Sequence, residues 1–327
     1  MSRRGLSLVE VVVALGVIGL LMSLLLPAIQ VSREASRRAQ CMSREKQIGL
    51  ALAGFESLHG GYHPVLSPVK ESGITTVPIL SEHVYLLPHL DHASLFAEID
   101  LSDSDGVVTG AGARSVKNSA ILSRSVSEFL CPSDPRAIGG ANSYRFCTGT
   151  SPGAHETTNR PQCQAAMRGF TAPNLRPAKV KDGLSNTIFL TEHPVGDGRA
   201  EPFDLRRDLL AAGPAWFLTP DDAKDGCAAV AFPSPAARRA GVTWLIGGYL
   251  STWYNHVVPP NSSIPDCQAT DDPSGGAPGS VVARSEHVGG VNALWGDGSV
   301  RFVSDNIAPC VWRAVATYDG AEPASHE

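Results

Sequence analysis

The feature that constrains this chain most is an apolar run close to its start. Residues 11–29 carry no charge, and Glu10 is the only charged residue between Leu6 and Ile29. A helix of about 20 apolar residues crosses the hydrocarbon core of a bilayer, which is roughly 30 Å thick. The run therefore predicts one membrane-spanning helix near the N-terminus.

The residues in front of the run distinguish between kinds of membrane segment. A secretory signal has an apolar centre of about 7–15 residues followed by a small-residue cleavage site. Here the run is longer, and Pro27-Ala28-Ile29 behind it offers no such site. A cut in front of the run, after the basic stretch that ends at Gly5, is the remaining possibility, beside an ordinary uncleaved anchor.

The start of the chain resembles type IV prepilins and the pseudopilins of type II secretion. In those proteins a short basic leader ends in Gly, and one Glu lies near the start of the apolar helix that follows. The resemblance implies cleavage by a prepilin peptidase between Gly5 and Leu6, methylation of the new N-terminus at Leu6, and a role for Glu10 in assembly. Residues 1–5 would then be the leader.

The helical pattern continues beyond the apolar run. Apolar residues recur mostly at intervals of three and four at Val31, Ala35, Ala39, Met42, Ile48, Leu52 and Phe55. This spacing is typical of a helix with one apolar face, and Gly60 and Gly61 mark its end. We predict one helix from Leu6 to about Leu58, with a transmembrane half (6–30), an amphipathic half (31–58) and a kink at Pro27.

Two signals disagree about orientation. Five basic residues between Arg33 and Lys46 outnumber Arg3 and Arg4 in front of the run. The positive-inside rule would therefore place the residues after the run in the cytoplasm. We give precedence to the prepilin-like start, which predicts a single-pass inner-membrane protein with its globular domain in the periplasm or at the cell surface.

Residues 59–327 are predicted to form that globular domain. Gly and Pro make up 50 of these 269 residues, which favours short strands and loops over long helices. Strands are predicted at 142–147 and 187–191, and a hairpin at 291–295 and 300–303, with short helices at 93–99 and 309–317. We therefore predict an α+β fold, in which a pilin-like helix packs on an antiparallel, loop-rich β domain.

Charge and cysteine content limit the partners and the compartment. The net charge is −5, and residues 1–58 contribute +3, so the globular part carries −8. An acidic domain argues against a nucleic-acid partner. The seven cysteines form no C-x-x-C pair and predict disulfides in an exported domain. We expect Cys41 to be the one left unpaired.

The C-terminal part carries a second resemblance. His287 is followed by Asp297-Gly298 with the spacing H-x9-D-G, which resembles the DUF1559 family of prepilin-like proteins. Further similar segments are 46–52, 130–134, 149–150, 182–188 and 311–314. The resemblance implies the same architecture and no defined activity. We interpret the motif residues as structural: His287, Gly289, Gly290, Asp297 and Gly298.

Three groups of residues could suggest catalysis or metal binding. His287, Asp297 and Ser299 would suit a hydrolase, but Asp-Gly is explained by a hairpin turn, and we expect His287 to bond backbone. Residues 149–153 match G-x-S-x-G, yet Pro152 lacks the N–H that an oxyanion site needs. The acidic stretches 100–106 and 221–226 offer oxygen ligands for Ca²⁺ without the full loop pattern. We expect no catalytic residue, no metal and no cofactor.

The expected function is structural, as a pilin-like or pseudopilin-like subunit of a cell-envelope or secretion assembly. The expected partners are the membrane, a prepilin peptidase, and further copies of the chain or other pseudopilins. The alternative is a singly anchored envelope protein that binds a ligand or a partner protein through its globular domain, using the acidic loops of 199–280.

Overall fold

The computed structural model describes residues 8–62, 69–71, 74–76, 80–102, 107–109, 112–114, 118–152, 175–196, 204–211, 217–230, 238–268 and 279–320. Several residues that the sequence singled out lie outside these ranges: Gly5 and Leu6, Asp103, Asp105 and Gly106, Gly153, and Cys163.

A single helix, α1 (Leu8–His59), dominates the fold. It is 52 residues long, or about 78 Å at 1.5 Å per residue. Pro27 lies inside it without ending it, and Gly60 follows its last residue with a φ of +70°. In the described part of the chain, α1 is the one helix long and apolar enough to cross a membrane, and its apolar window is wholly exposed.

The remaining helices are short: α2 (Glu82–Leu86), α3 (Ala93–Ala97), α4 (Pro220–Ala228) and α5 (Pro309–Ala314). The strands, in chain order, are β1 (Val69–Glu71), β2 (Ile74–Thr76), β3 (Val107–Thr109), β4 (Gly112–Arg114), β5 (Tyr144–Cys147), β6 (Ile188–Glu192), β7 (Asp208–Ala211), β8 (Arg238–Arg239), β9 (Trp253–Tyr254), β10 (Asp266–Gln268), β11 (Gly279–Ser280), β12 (Gly290–Trp295) and β13 (Val300–Ser304).

Two sheets carry the domain. The larger has the strand order β13-β12-β6-β5-β9, and the smaller has the order β11-β10-β7-β8. Most neighbours pair antiparallel, but β5 pairs with β9 and β7 with β10 in parallel. The prediction of an α+β fold with a largely antiparallel β domain is therefore correct, and each of the two sheets also contains one parallel pair. The predicted hairpin is present as β12 and β13.

The second half of α1 packs against the large sheet. Its buried apolar residues Ile48, Leu52 and Phe55 belong to the main core. A Cβ on Gly49 would come within 2.6 Å of Leu294 Cδ1 on β12, so helix and strand approach closely there. Burial of each large apolar side chain contributes about 1.5–3 kcal/mol, which holds this half of the helix on the domain.

The buried face of α1 differs from the predicted one before residue 41. Val31, Ala35 and Ala39 are exposed, so the early part of the apolar stripe does not face the domain. The face that meets the domain is polar there, and Glu34 and Arg38 are half-buried on it. Periodicity of apolar residues could not reveal this face because charged side chains occupy it.

The cysteine pairing also corrects the sequence analysis. Cys41 on α1 is bonded to Cys131, and Cys227 on α4 is bonded to Cys267 on β10. The expectation that Cys41 is unpaired is therefore wrong. Cys41 lies on the buried face of α1 directly opposite the bend that carries Cys131, and its Cα is 5.1 Å from that of Cys131.

The acidic stretch at 221–226 forms part of α4. Thr219 and Asp222 make a capping box, in which the Asp222 N–H donates to Thr219 Oγ1 and the Thr219 N–H donates to Asp222 Oδ2. Asp221 accepts a hydrogen bond from Arg313 at 2.9 Å. Asp222 caps α4 and Asp221 pairs with Arg313, so this stretch belongs to a helix and the expectation of a loop here is wrong.

Candidate functional site

A cluster of buried polar side chains lies beneath α1 at the end of the domain nearest the apolar run. Four parts of the chain meet there: the polar face of α1, the loop at Cys131, the last residue of β6, and the residues just before β12. The Cys41–Cys131 disulfide joins the first two of these parts covalently. We call this group the helix-anchor cluster: Glu34, Cys41, Glu45, Cys131, Glu192 and His287.

His287 is the centre of the helix-anchor cluster. Its Nδ1 lies 2.8 Å from Glu34 Oε1 on α1, and its Nε2 lies 3.2 Å from Glu192 Oε1 at the end of β6. The side chain is almost completely buried. The expectation that His287 bonds backbone through its ring is therefore wrong: the ring bridges two carboxylates, one from the helix and one from the sheet.

Two carboxylate partners determine the charge of this ring. Burial lowers the pKa of His287, but the hydrogen bonds and charges of Glu192 and Glu34 outweigh it and raise the pKa above its ordinary value of 6.5. An imidazolium has two N–H donors, which is what two carboxylate acceptors require. The raised pKa favours the protonated ring, which joins α1 to the sheet through its two N–H groups.

Glu192 is held in place by several donors besides the histidine. Its Oε2 accepts the backbone N–H of Asn292 at 3.0 Å, and its Oε1 accepts the Asn292 side-chain amide at 3.2 Å. The Sγ of Cys131 lies 3.9 Å from the same Oε1. Because Glu192 ends β6 and Asn292 belongs to the neighbouring β12, the pairing of these two strands positions the carboxylate.

Glu34, on α1, lies at the half-buried edge of the helix-anchor cluster. Besides His287, it accepts hydrogen bonds from Arg37 Nε at 2.9 Å and from Ser133 Oγ at 3.3 Å. Burial raises its pKa, but the hydrogen bonds from His287 and Arg37 lower it below the ordinary value of 4.5. Glu34 is therefore ionised at neutral pH and complements the imidazolium.

Glu45 has a different environment. It lies one helical turn after Cys41 on the same buried face of α1, and it is completely buried. Neither of its carboxyl oxygens has a hydrogen-bond partner among the described residues. Burial, with repulsion from Glu192, raises the pKa of Glu45 well above 4.5. Burying a carboxyl group without a hydrogen-bond partner destabilises the folded state. The position of Glu45 therefore needs a physical explanation.

The cluster also presents atoms that metals bind. Cys41, Cys131, Glu192 and His287 each offer one ligand atom, and these four atoms all lie within 4.8 Å of one another. The two sulfurs are joined to each other in the structure. Sulfur, imidazole nitrogen and carboxylate oxygen are the ligand types of Zn²⁺ sites.

A second buried network borders the helix-anchor cluster. His193, the residue after Glu192, bonds Asp266 at 2.6 Å, and Arg284 also reaches Asp266 at 3.1 Å. Burial and the charge of Arg145 lower the pKa of His193 to about 4, so this histidine is neutral. A cavity of about 10 Å³, enough for one water molecule, lies between the two networks beside Cys131 and Glu192.

The other motif residues lie away from the cluster. Asp297 follows the end of β12, whereas His287 precedes its start, so the strand separates them. Asp297 Oδ1 accepts hydrogen bonds from the N–H and hydroxyl of Ser299, and its Oδ2 pairs with Arg301 at 3.0 Å. Gly298 has a φ of +77°, as expected for a tight hairpin. The catalytic grouping of His287, Asp297 and Ser299 does not form.

The two glycines after His287 differ from each other. Gly289 has a φ of +84° with open space around its Cα, whereas Gly290 lies against the backbone of β13. Together they bring His287 back toward α1 at the start of β12. Glu10 lies 24 residues before Glu34 on α1, or about 36 Å along the helix axis, so it belongs to a separate part of the molecule.

Sequence reasoning missed most of the helix-anchor cluster. Glu34, Cys41 and Glu45 follow one another at spacings of seven and four, and the series continues to Ile48, Leu52 and Phe55, which is one face of a helix. That continuity was a usable signal for α1. Nothing in the sequence indicates that Cys131, Glu192 and His287, from three distant segments, come together under this face.

Comparison with known proteins identifies the family of the chain. No curated protein and no solved structure matches the chain significantly. A family model described as "Protein of unknown function (DUF1559)" matches residues 30–310. These residues contain the amphipathic half of α1, all six residues of the helix-anchor cluster and the hairpin. Because the match covers most of the 327 residues, the chain belongs to the DUF1559 family.

Proposed function

We propose that the protein is a pilin-like or pseudopilin-like structural subunit, anchored in the inner membrane by α1 with its globular domain on the exported side. The observation that supports this most is the division of α1. Its apolar half is wholly exposed in the single chain, and its second half is packed and covalently bonded to the domain. An exposed apolar stem needs either lipid or other stems around it.

The attachment of α1 supports a stem that transmits force. The Cys41–Cys131 bridge and the His287 contacts to Glu34 and Glu192 join the helix to the domain on the side nearest the membrane. Farther along, Ile48, Leu52 and Phe55 bury the same face in the core. A flexible tether would suffice for a simple anchor, whereas a subunit packed by its stem benefits from a helix fixed in one orientation.

Processing is the first test of this proposal. We expect the mature protein to begin at Leu6 with a methylated amine, because Gly5 is the small residue between the basic leader and the apolar run. N-terminal sequencing or intact mass measurement of protein extracted from the native membrane checks this. A mature chain that starts at Met1 contradicts the prepilin-like reading and leaves an uncleaved anchor.

Glu10 provides the second test. An ionisable group within an apolar helix costs several kcal/mol at membrane depth unless it is paired, and such groups are usually functional. We propose that Glu10 pairs with the new N-terminal amine of a neighbouring subunit and so sets the register between stems. Glu10→Ala is expected to insert and fold normally but to lose most self-association, measured by cross-linking in the native host.

The matched control for this test is Val12→Ala, which shortens a nearby apolar side chain without changing charge. It should cross-link like the wild type. Equal cross-linking of Glu10→Ala and wild type would contradict assembly through the stems and favour the second candidate function.

That second candidate is an anchored protein that binds a partner through its domain. A groove of about 430 Å³ runs beside β13, the edge strand of the large sheet. Its lining is largely apolar, with Trp295, Phe302 and Ile307 among its residues. This groove suits a partner better than the acidic residues of α4, which are engaged in capping and in pairing with Arg313.

We further propose that the domain is not an enzyme and does not bind nucleic acid. The absence of enzymatic activity is supported by the two ring nitrogens of His287, which both bond glutamate side chains, and by Asp297, which lies at the other end of β12. The absence of nucleic-acid binding is supported by the net charge of −8 on residues 59–327, which would repel phosphate groups.

A further inference from the structure

We propose that, in its dithiol form, the helix-anchor cluster is a binding site for a thiophilic divalent cation of the zinc class, with Cys41, Cys131, Glu192 and His287 as ligands. Their ligand atoms already lie within 4.8 Å of one another, and all four residues are buried. The disulfide in the structure and the metal site are alternative states of the same two sulfurs, because a sulfur engaged in a bridge has no thiolate to offer.

The donor set selects the class of cation. Two thiolates, one imidazole and one carboxylate are a tetrahedral set of the kind that Zn²⁺ occupies. Ca²⁺ and Mg²⁺ require oxygen ligands almost exclusively, so they do not fit.

The orientation of His287 matches that of a metal ligand. Metal-binding histidines usually donate the N–H of the second ring nitrogen to a carboxylate, which orients the ring. Glu34 holds Nδ1 of His287 at 2.8 Å and leaves Nε2 facing Glu192. Glu192 is in turn fixed by Asn292. Glu34 and Asn292 would therefore act as the outer partners of the site.

Glu45 is a separate observation that supports a cation at this place. It is completely buried next to Glu192, and its carboxyl oxygens have no hydrogen-bond partner in the part of the chain that the structure describes. It follows Cys41 by one turn on the same helix face. A divalent cation bound between Cys41 and Glu192 would favour the ionised form of this carboxyl group, whereas the disulfide carries no charge and offers it no hydrogen-bond donor.

The two states interconvert by a two-electron thiol–disulfide reaction. A dithiol reductant supplies two electrons and two protons to the Cys41–Cys131 bond and forms two thiols. Binding of the cation then releases one proton from each thiol and one from the His287 imidazolium. Oxidation by a disulfide donor removes two electrons from the thiolates, re-forms the bridge and expels the cation.

The test uses the full chain in detergent, reduced without oxygen and titrated with Co²⁺ as a spectroscopic stand-in for Zn²⁺. We expect one equivalent of Co²⁺ to produce thiolate-to-metal charge-transfer bands and the visible bands of tetrahedral cobalt, and Zn²⁺ to displace it. The oxidised chain should show neither band. A reduced, folded chain that gives no thiolate-to-cobalt band overturns the proposal.

Variants locate the site. Cys41→Ser with Cys131→Ser should abolish the bands, and Cys227→Ser with Cys267→Ser, which removes the other bridge, should keep them. Glu34→Gln should retain one equivalent but weaken binding about 10–100-fold, as loss of an outer partner does. Bands that survive loss of Cys41 and Cys131 overturn the assignment.

A measurement on the wild type covers the case in which a variant fails to fold. All four of these cysteines, Cys41, Cys131, Cys227 and Cys267, are buried, so the rate of alkylation is compared with and without Zn²⁺ and mapped by peptide mass spectrometry. Zn²⁺ should slow alkylation of Cys41 and Cys131 of the reduced chain and leave the rates at Cys227 and Cys267 unchanged. Unchanged rates at Cys41 and Cys131 contradict the proposal.

Discussion

Replacing His287 with alanine is expected to destabilise the domain by about 3–5 kcal/mol, because removing one partner of a buried ion pair leaves the other charge uncompensated. Glu192 is the charge in question: it is buried at the end of β6 and bonds His287 at 3.2 Å. The change is measured by denaturant unfolding of the full chain in detergent at about pH 6, where the imidazole is protonated. His287→Gln should cost less, since its amide still donates a hydrogen bond.

The contribution of His287 depends on pH in a defined direction. Its pKa is raised above 6.5 in the folded chain, so its stabilising effect is complete below pH 6.5 and is lost as the pH rises through the raised pKa. The pKa of Glu34 is lowered from 4.5, so its effect is complete above pH 4.5 and is lost as the pH falls through the lowered pKa. The gap between wild type and His287→Ala should therefore shrink on the alkaline side.

The matched control is His92→Ala. His92 also pairs with a glutamate, Glu128, at 3.1 Å, but both side chains are partly exposed. Exposed pairs contribute about 0–1 kcal/mol, so this variant should lose little stability. If His287→Ala and His92→Ala both lower the free energy of unfolding by the same small amount, the imidazolium of His287 does not hold α1 on the sheet.

Gly290→Ala is expected to destabilise the domain by about 3 kcal/mol or more, at the upper end of overpacking effects. A Cβ at this position would lie 2.0 Å from the carbonyl oxygen of Val303 on β13, and backbone on a paired strand cannot give way cheaply. The measurement is the midpoint of thermal or denaturant unfolding. His287 is three residues away, so the variant should also weaken the attachment of α1.

Gly289→Ala is the comparison. Its Cβ would meet nothing within 4 Å, and the cost comes from the φ of +84° alone. A left-handed conformation costs an L residue about 1–2 kcal/mol. We therefore expect Gly290→Ala to be clearly the worse of the two. The reverse order would mean that backbone conformation, and not the close approach of β13, explains this pair of glycines.

Local sequence patterns predicted several elements well. In the Asp297-Gly298 turn, Gly298 has the positive φ (+77°) that a tight hairpin requires. The residues on either side of the turn form β12 and β13. The β-prone run before His193 forms β6. These elements were readable because a turn requires particular residues and a strand requires a short run of β-prone ones. Parallel pairing of β5 with β9 was not readable, because it joins segments far apart in the chain.

The helix-anchor cluster shows where such patterns fail. Cys41 was expected to be unpaired because it is alone on its helix, yet its partner comes from 90 residues away. His287 was expected to bond backbone because it precedes a hairpin, yet its partners are Glu34 and Glu192. In each case the partner is brought by packing of α1 on the sheet and not by local sequence.

Hydrophobic periodicity, composition and backbone preferences act over a few residues, so they predict one long helix with an apolar first half, a disulfide-bearing α+β domain and a turn at Asp297-Gly298. Packing of distant segments sets which face of α1 is buried before residue 41, which cysteines pair, and that Glu45, Glu192 and His287 are buried near one another. Each of these features requires segments that are far apart in the chain to pack together and exclude water from the same charged groups. A local sequence pattern does not indicate which distant segments pack together.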